Sequence, residues 1–244
     1  MQRKIFYLFV VSIFAAGIVS AQVPDKFKNL KVLPKDISKE KLLEIMRGFT
    51  GALGVNCEFC HVAQENPHKM IFDSDQKTAK NKARIMMAMT HDINTKYLSK
   101  LSEYSDNILQ VKCVTCHHGN KEPMMLEDVL YSTINSKGIQ EAITTYHDLR
   151  DKYYGSFTYD FKDHTLVKLI EMLNKDKKYD DAVAIGKLNI ETYPQSGVAY
   201  YGLGEAYEAK NDKENAIANY KKALELMPRA AEFLNKKIEA LQGK

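Results

Sequence analysis

The sequence predicts an all-α protein in two parts: a helical segment carrying two matching cysteine and histidine strings, then a tail of paired helices. Three observations point there. The strings CEFCH (Cys57, Cys60, His61) and CVTCH (Cys113, Cys116, His117) share one spacing; apolar residues recur at helical intervals ahead of each; and the pattern beyond residue 165 returns every 34 residues. The expected divisions are 1–21 as a removable export segment, 22–130 as the cysteine-bearing domain, 131–162 as a helical linker and 163–244 as the repeat tail. With 45% hydrophobic and 27% charged residues among 244, the composition is that of folded protein, and a mean hydropathy of -0.38 excludes a multi-span membrane protein. The formal charge of +4 falls to +2 without Arg3 and Lys4, which gives no basis for a nucleic-acid partner.

Residues 1–21 place Arg3 and Lys4 ahead of an uncharged run from Ile5 to Val19, followed by Ser20 and Ala21. This is the pattern of a secretory signal peptide, with Val19 and Ala21 suited to a cut before Gln22. The apolar run is shorter than the roughly 20 residues of a membrane span. The expected location is therefore exported and periplasmic, or tethered to the inner membrane if the segment stays uncut. The cysteines would then work outside the reducing cytoplasm.

Each cysteine string is C-x-x-C-H, the attachment pattern of c-type haem. On a helical turn, residues three apart project to one side, so two thiols can bond one edge of the porphyrin while the adjacent histidine reaches the iron. Four-cysteine zinc sites place their pairs about 15 to 20 residues apart, whereas Cys57 and Cys113 are 56 apart. A thioredoxin-like dithiol needs a strand–helix–strand setting that the helical flanks do not provide. A disulfide within either pair would close a strained ring. The cofactor expected is two covalently bound haem c groups, on Cys57 and Cys60 with His61, and on Cys113 and Cys116 with His117.

The sixth iron ligand must be methionine or histidine. Ahead of the first string, Leu42, Ile45, Met46, Phe49 and Leu53 form an apolar stripe, with Ser38 as N-cap and Gly48, Gly51 and Gly54 marking the turn back. Ahead of the second, Ile85, Met86, Met89, Ile93 and Tyr97 lie near one helix face. Met46 and Met70 compete for the first iron. Met86, Met87, Met89, His91, Met124 and Met125 compete for the second, and packing in an apolar core is the ordinary role of such methionines. His118 is expected at the surface; His68, His147 and His164 have no partner pattern and read as surface or core histidines.

The blocks LLEIMRGFTGALGVNCEFCHV, ARIMMAMTHDINTKYL and VKCVTCHHG resemble the haem-binding segments of the photosynthetic reaction centre cytochrome c subunit family. The resemblance covers residues 30–125 or so. It implies a helix, a turn and a second helix bearing C-x-x-C-H for each haem, with Met46 as distal ligand of the first iron and Met86 of the second. The family proper carries four haems, so the resemblance is to half of that arrangement.

Beyond residue 130, Pro194 and Pro228, Ala182 and Ala216, and Leu169 and Leu203 are each 34 residues apart, the period of the tetratricopeptide repeat. Gly204 and Ala206 allow close helix approach, and Tyr207, Ala216, Tyr220 and Ala223 fill the seam. Residues 229–241 supply a further helix. Such a tail is either a docking surface for a protein partner or a helical buttress. Together these readings predict an exported dihaem cytochrome that passes single electrons between periplasmic or membrane-bound donor and acceptor proteins. The rivals are a dihaem peroxidase-like enzyme and a tetratricopeptide partner-binding module in which the haems sense redox state.

Overall fold

The computed structural model describes residues 23–64, 69–107 and 109–243; the expected export segment 1–21, the expected new terminus Gln22, and His68 lie outside them. Among the described residues ten α-helices and one two-stranded hairpin carry the chain, the all-α class that the sequence predicts. The described residues divide into two compact units, those up to residue 50 with those of 55–112, and residues 51–54 with 113–243.

In the first unit, helix α1 (Lys39–Leu53) starts where Ser38 caps it. The Ser38 hydroxyl accepts the Lys41 N–H at 3.2 Å and its carbonyl accepts the Leu42 N–H at 3.0 Å. Gly48 and Gly51 do not mark a turn. They lie inside α1 with open space where a Cβ would stand, and only Gly54, at φ +63, reverses the chain. A one-turn 3-10 helix (Cys57–Phe59) leads into an antiparallel hairpin of β1 (Val62–Gln64) and β2 (Lys69–Ile71), then α2 (Thr78–Asp92), which runs on through a π turn (Ile93–Tyr97) and a 3-10 stretch (Leu98–Glu103). The Asn94 amide closes this end, bonding both the Val111 carbonyl and the Val111 N–H at 2.8 Å.

The approach to α2 is fastened by one carboxylate. Asp75 meets Lys31 at 2.7 Å, Arg84 at 2.9 Å, Lys80 at 3.3 Å and the Asn29 amide at 2.8 Å. Lys31, then Arg84 and Lys80, hold the Asp75 carboxyl well below the usual carboxylate range. Apolar burial in this unit is sparse. Among its described residues only Leu42 and Met70 are buried apolar side chains, while Ile85 is 70% exposed and Met89 and Tyr97 also face outward. The expected α2 stripe is therefore an open face rather than a packed one; periodicity identifies an apolar face without saying what covers it.

The second unit carries α3 (Cys113–His117), α4 (Leu126–Lys137), α5 (Ile139–Tyr153), α6 (Asp163–Lys175), α7 (Tyr179–Thr192), α8 (Gly197–Ala209), α9 (Lys213–Leu226) and α10 (Ala231–Gln242). The pairs α6/α7 and α8/α9 repeat down to the backbone. Lys177 and Asn211 both turn the chain at positive φ, 61 and 66, and the following N–H groups close back on Leu173 and Tyr207, each at 2.9 Å. The glycines serve the stacking: a Cβ on Gly204 would stand 2.5 Å from the Tyr220 ring, and one on Gly186 2.7 Å from Leu203.

The stretch 131–162, read from sequence as a helical linker, holds most of α4 and all of α5, a further antiparallel pair joined through Gly138. Leu130, Ile134, Ala142, Tyr146 and Phe161 share one buried core with Leu166, Leu169 and Ile170 of α6. Two repeats are fewer than independent stability usually needs, and α4/α5 supply the missing neighbour. At the other end, Leu234 and Ile238 of α10 cover Ala216, Tyr220 and Ala223 of α9 as a closing cap.

Candidate functional site

The first cysteine string folds as one tight helical turn. The Cys60 and His61 N–H groups both return to the Cys57 carbonyl, at 3.3 and 3.0 Å, which brings the two cysteines to the same side. The hairpin register then places the histidine. Val62 pairs with Ile71, so the next pair outward is His61 and Phe72, whose rings meet edge to face at 5.1 Å. Burial, reinforced by the Lys80 ammonium, holds His61 below the ordinary histidine range and keeps it neutral, against a raising contribution from the Phe72 backbone. Its Nδ1 is buried without a hydrogen-bond partner of good geometry. Lys77 binds the Glu58 carbonyl and Lys80 the Phe72 and Ser74 carbonyls, both at 2.8 Å, pinning the string and hairpin to the start of α2.

The second string is α3 itself. Cys113 is half-buried and Cys116 exposed, and His117 ends the helix. The His117 Nδ1–H donates to the Asn120 carbonyl at 2.9 Å, and the Asn120 N–H returns to the His117 carbonyl at 2.8 Å. That bond commits Nδ1 as the protonated nitrogen and leaves Nε2 with the lone pair that a metal takes. His118 follows in a left-handed conformation at φ 48 and Gly119 at φ 84, and the Gly119 N–H closes on the Ala52 carbonyl at 2.9 Å. A Cβ on Gly54 would fall 2.0 Å from the Gly119 carbonyl oxygen, so the end of α1 and this loop meet through two glycines.

These residues fit a covalently held haem. All four cysteines are free thiols, two in each string, and burial pushes Cys60 and Cys113 toward their protonated form. Among the described residues no three His, Cys, Asp or Glu side chains gather as a metal-ion site.

The distal candidates are placed as follows. Met46 is half-buried on α1 and Met70 is buried in β2, both in the unit that holds Cys57, Cys60 and His61. Met86 and Met87 are half-buried on α2, Met89 and His91 are exposed there, and Met124 and Met125 are exposed ahead of α4. Met86 belongs to the first unit and Cys113, Cys116 and His117 to the second. His118 is exposed, as expected. His147 is exposed against Tyr146, and His164 lies 3.2 Å from Asp160.

Two contributors were missed by sequence reasoning. Phe72 is brought to His61 by a three-residue strand that is too short to give a periodic signal. Tyr159, whose hydroxyl accepts the Asn120 side-chain N–H at 2.5 Å, lies 39 residues further along the chain.

Residues 16–145 match the photosynthetic reaction centre cytochrome c subunit family, and residues 197–229 match the tetratricopeptide repeat. The chain is 32% identical over 108 residues to cytochrome c-554 of Chloroflexus aurantiacus, a match that covers 44% of this chain and 24% of that protein. It is 28% identical over 95 residues to the photosynthetic reaction center cytochrome c subunit of Rubrivivax gelatinosus, covering 35% and 24%. It is 31% identical over 81 residues to tetratricopeptide repeat protein 17 of Rattus norvegicus, covering 33% and 7%. The matches thus span about a quarter of the length of these cytochromes.

Proposed function

The chain belongs to the photosynthetic reaction centre cytochrome c subunit family, and from that premise we propose that it is an exported dihaem electron carrier of the periplasm. Cys57 and Cys60 would hold one haem c and Cys113 and Cys116 the other, with His61 and His117 as proximal ligands and Met46 and Met86 as distal ones. Bound haem supplies one-electron redox chemistry, and methionine as the second ligand raises its potential. The polypeptide does the rest. Each string sets two thiols on one side of a single turn, and burial keeps His61 neutral and so able to donate to a metal. Asn120 fixes which nitrogen of His117 faces outward.

The observation that carries this reading is the His117 imidazole, held through Nδ1 by a backbone carbonyl at the end of the helical turn that bears both thiols. The assignment of Met86 rests on the family resemblance. Redox partners would be donor and acceptor proteins of the periplasm or its membrane, with the stack of helical pairs as a docking surface. No helix among the described residues is long and apolar enough to cross a membrane.

The test is a haem stain and intact mass of the exported product, followed by spectra of Met46→Ala and Met86→Ala. A mass excess of two haems is expected, with methionine–sulfur ligation lost at one iron in each variant and no response of the wild type to peroxide or carbon monoxide. A colourless product with the mass of the bare chain overturns the reading.

A further inference from the structure

The segment between α5 and α6, residues 154–162, is more than a connection. It leaves α5 through Gly155 at φ 81, and Ser156 organises the turn, its N–H bonding the Tyr153 carbonyl at 2.9 Å and its hydroxyl accepting the Thr158 N–H at 3.2 Å. Thr158 and Tyr159 then reach the loop after α3. The Thr158 hydroxyl donates to the His118 carbonyl at 2.7 Å, and the Tyr159 hydroxyl accepts from the Asn120 amide at 2.5 Å. The Asn120 held in this way also carries the carbonyl that accepts the His117 Nδ1–H.

The far end of the segment is rooted in the tail. Tyr159 packs edge to face on Tyr153 and Phe161, at 5.5 and 6.1 Å, and Phe161 is buried against Tyr146 in the α4–α6 core. The hydroxyl of Tyr193, just past α7, donates to the Phe161 carbonyl, and Arg150 of α5 reaches the same Tyr193 hydroxyl at 2.7 Å. A loop that includes a left-handed non-glycine residue, His118, is costly to hold by itself. Here it is held by side chains that project from a packed core.

The geometry points to Thr158 and Tyr159 as positioning residues for the proximal ligand of the second haem, acting through Asn120 on the orientation and donor strength of the His117 imidazole. This rests on the reading of His117 as a proximal ligand. The partner of a metal-bound histidine's outer nitrogen fixes its ring and raises its basicity. A firmly held Asn120 carbonyl therefore favours the oxidised iron, and loosening the strap weakens the Nδ1–H bond and raises that haem's potential. On this view the helical tail sets the potential of one haem and leaves the other alone.

The test is a spectroelectrochemical titration of the haem-loaded full chain, with intact mass recorded for every variant. Tyr159→Phe keeps the ring contacts and removes the oxygen that Asn120 uses; Thr158→Val removes the donor to His118, and Thr158→Ser restores it. In Tyr159→Phe and Thr158→Val, one of the two one-electron steps is expected to move upward, changing its equilibrium with a fixed mediator by about threefold, or about 28 mV at 59 mV per decade. The other step stays, and Thr158→Ser returns to the wild-type value. Two haems by mass with both steps unmoved overturns the strap while leaving the carrier intact, as does an equal shift of both steps. A wild-type product lacking haem overturns both readings. If Tyr159→Phe fails to fold, the Thr158→Val and Thr158→Ser pair decides the matter by the same shift and its reversal.

Discussion

Replacing Gly54 with alanine tests the joint between the end of α1 and the loop after α3. Gly54 sits at φ +63, where an L residue with a Cβ pays about 1–2 kcal/mol. The new methyl carbon would also stand 2.0 Å from the Gly119 carbonyl oxygen, a backbone atom with no rotamer to yield. Relief requires the two segments to part, which breaks the 2.9 Å bond from the Gly119 N–H to the Ala52 carbonyl, about 1 kcal/mol. The expected loss is about 2–3 kcal/mol before the displaced loop is counted. With a urea m-value near 2 kcal/mol/M, the unfolding midpoint of the haem-loaded protein should fall by about 1–1.5 M. Gly48→Ala is the internal control. Nothing lies within 4 Å of its would-be Cβ and it sits inside α1, so alanine there should stabilise by up to about 1 kcal/mol. A Gly54→Ala midpoint at or above that of the wild type would refute the close approach and the reasoning built on it.

Two further outcomes follow from the packing. Because Lys31, Arg84 and Lys80 depress the Asp75 carboxyl, its stabilisation is complete above the ordinary carboxylate range and declines as pH falls below that range toward Asp75's own lower value. Asp75→Asn should therefore lower stability at neutral pH and flatten the acid limb, read as urea midpoints from neutrality down to about pH 3; parallel limbs in the two proteins would count against the clasp. Gly204→Ala should cost about 2 kcal/mol, since its Cβ would press to 2.5 Å on the Tyr220 ring, and calorimetry should show a lowered melting temperature.

Much of this was legible in the residues. The cysteine strings, the Ser38 cap, the 34-residue period and the closing helix are local or periodic signals, and the structure bears out a helical domain followed by helical pairs. What escaped the sequence depends on contact at a distance or on ambiguous residues. Glycine reads as punctuation, yet Gly48 and Gly51 are accommodated within α1 and only the positive φ of Gly54 ends it. β1 and β2 are three residues each, too short to alternate, so the pairing that carries Phe72 to His61 left no trace. The α4/α5 pair lacks the 34-residue spacing because the segment 154–162 lengthens its connection to α6, so its place in the stack shows only in the shared core of Leu130, Tyr146 and Leu169. The bond from Asn120 to Tyr159 has no sequence signal at all.

The shared core has a consequence for anyone who would recombine this molecule. A cut at residue 162 looks natural on paper, between a cytochrome and an appended repeat, yet it would strip Leu166, Leu169 and Ile170 from Leu130, Tyr146 and Phe161 and leave an oily wound on the donor fragment. A cut at residue 130 would carry the Thr158 and Tyr159 anchors off with the wrong piece. Chimaeras made by exchanging the C-terminal half will need to transplant everything from residue 113 onward together with the 51–54 end of α1, which belongs to the same compact unit and bonds the Gly119 N–H through Ala52.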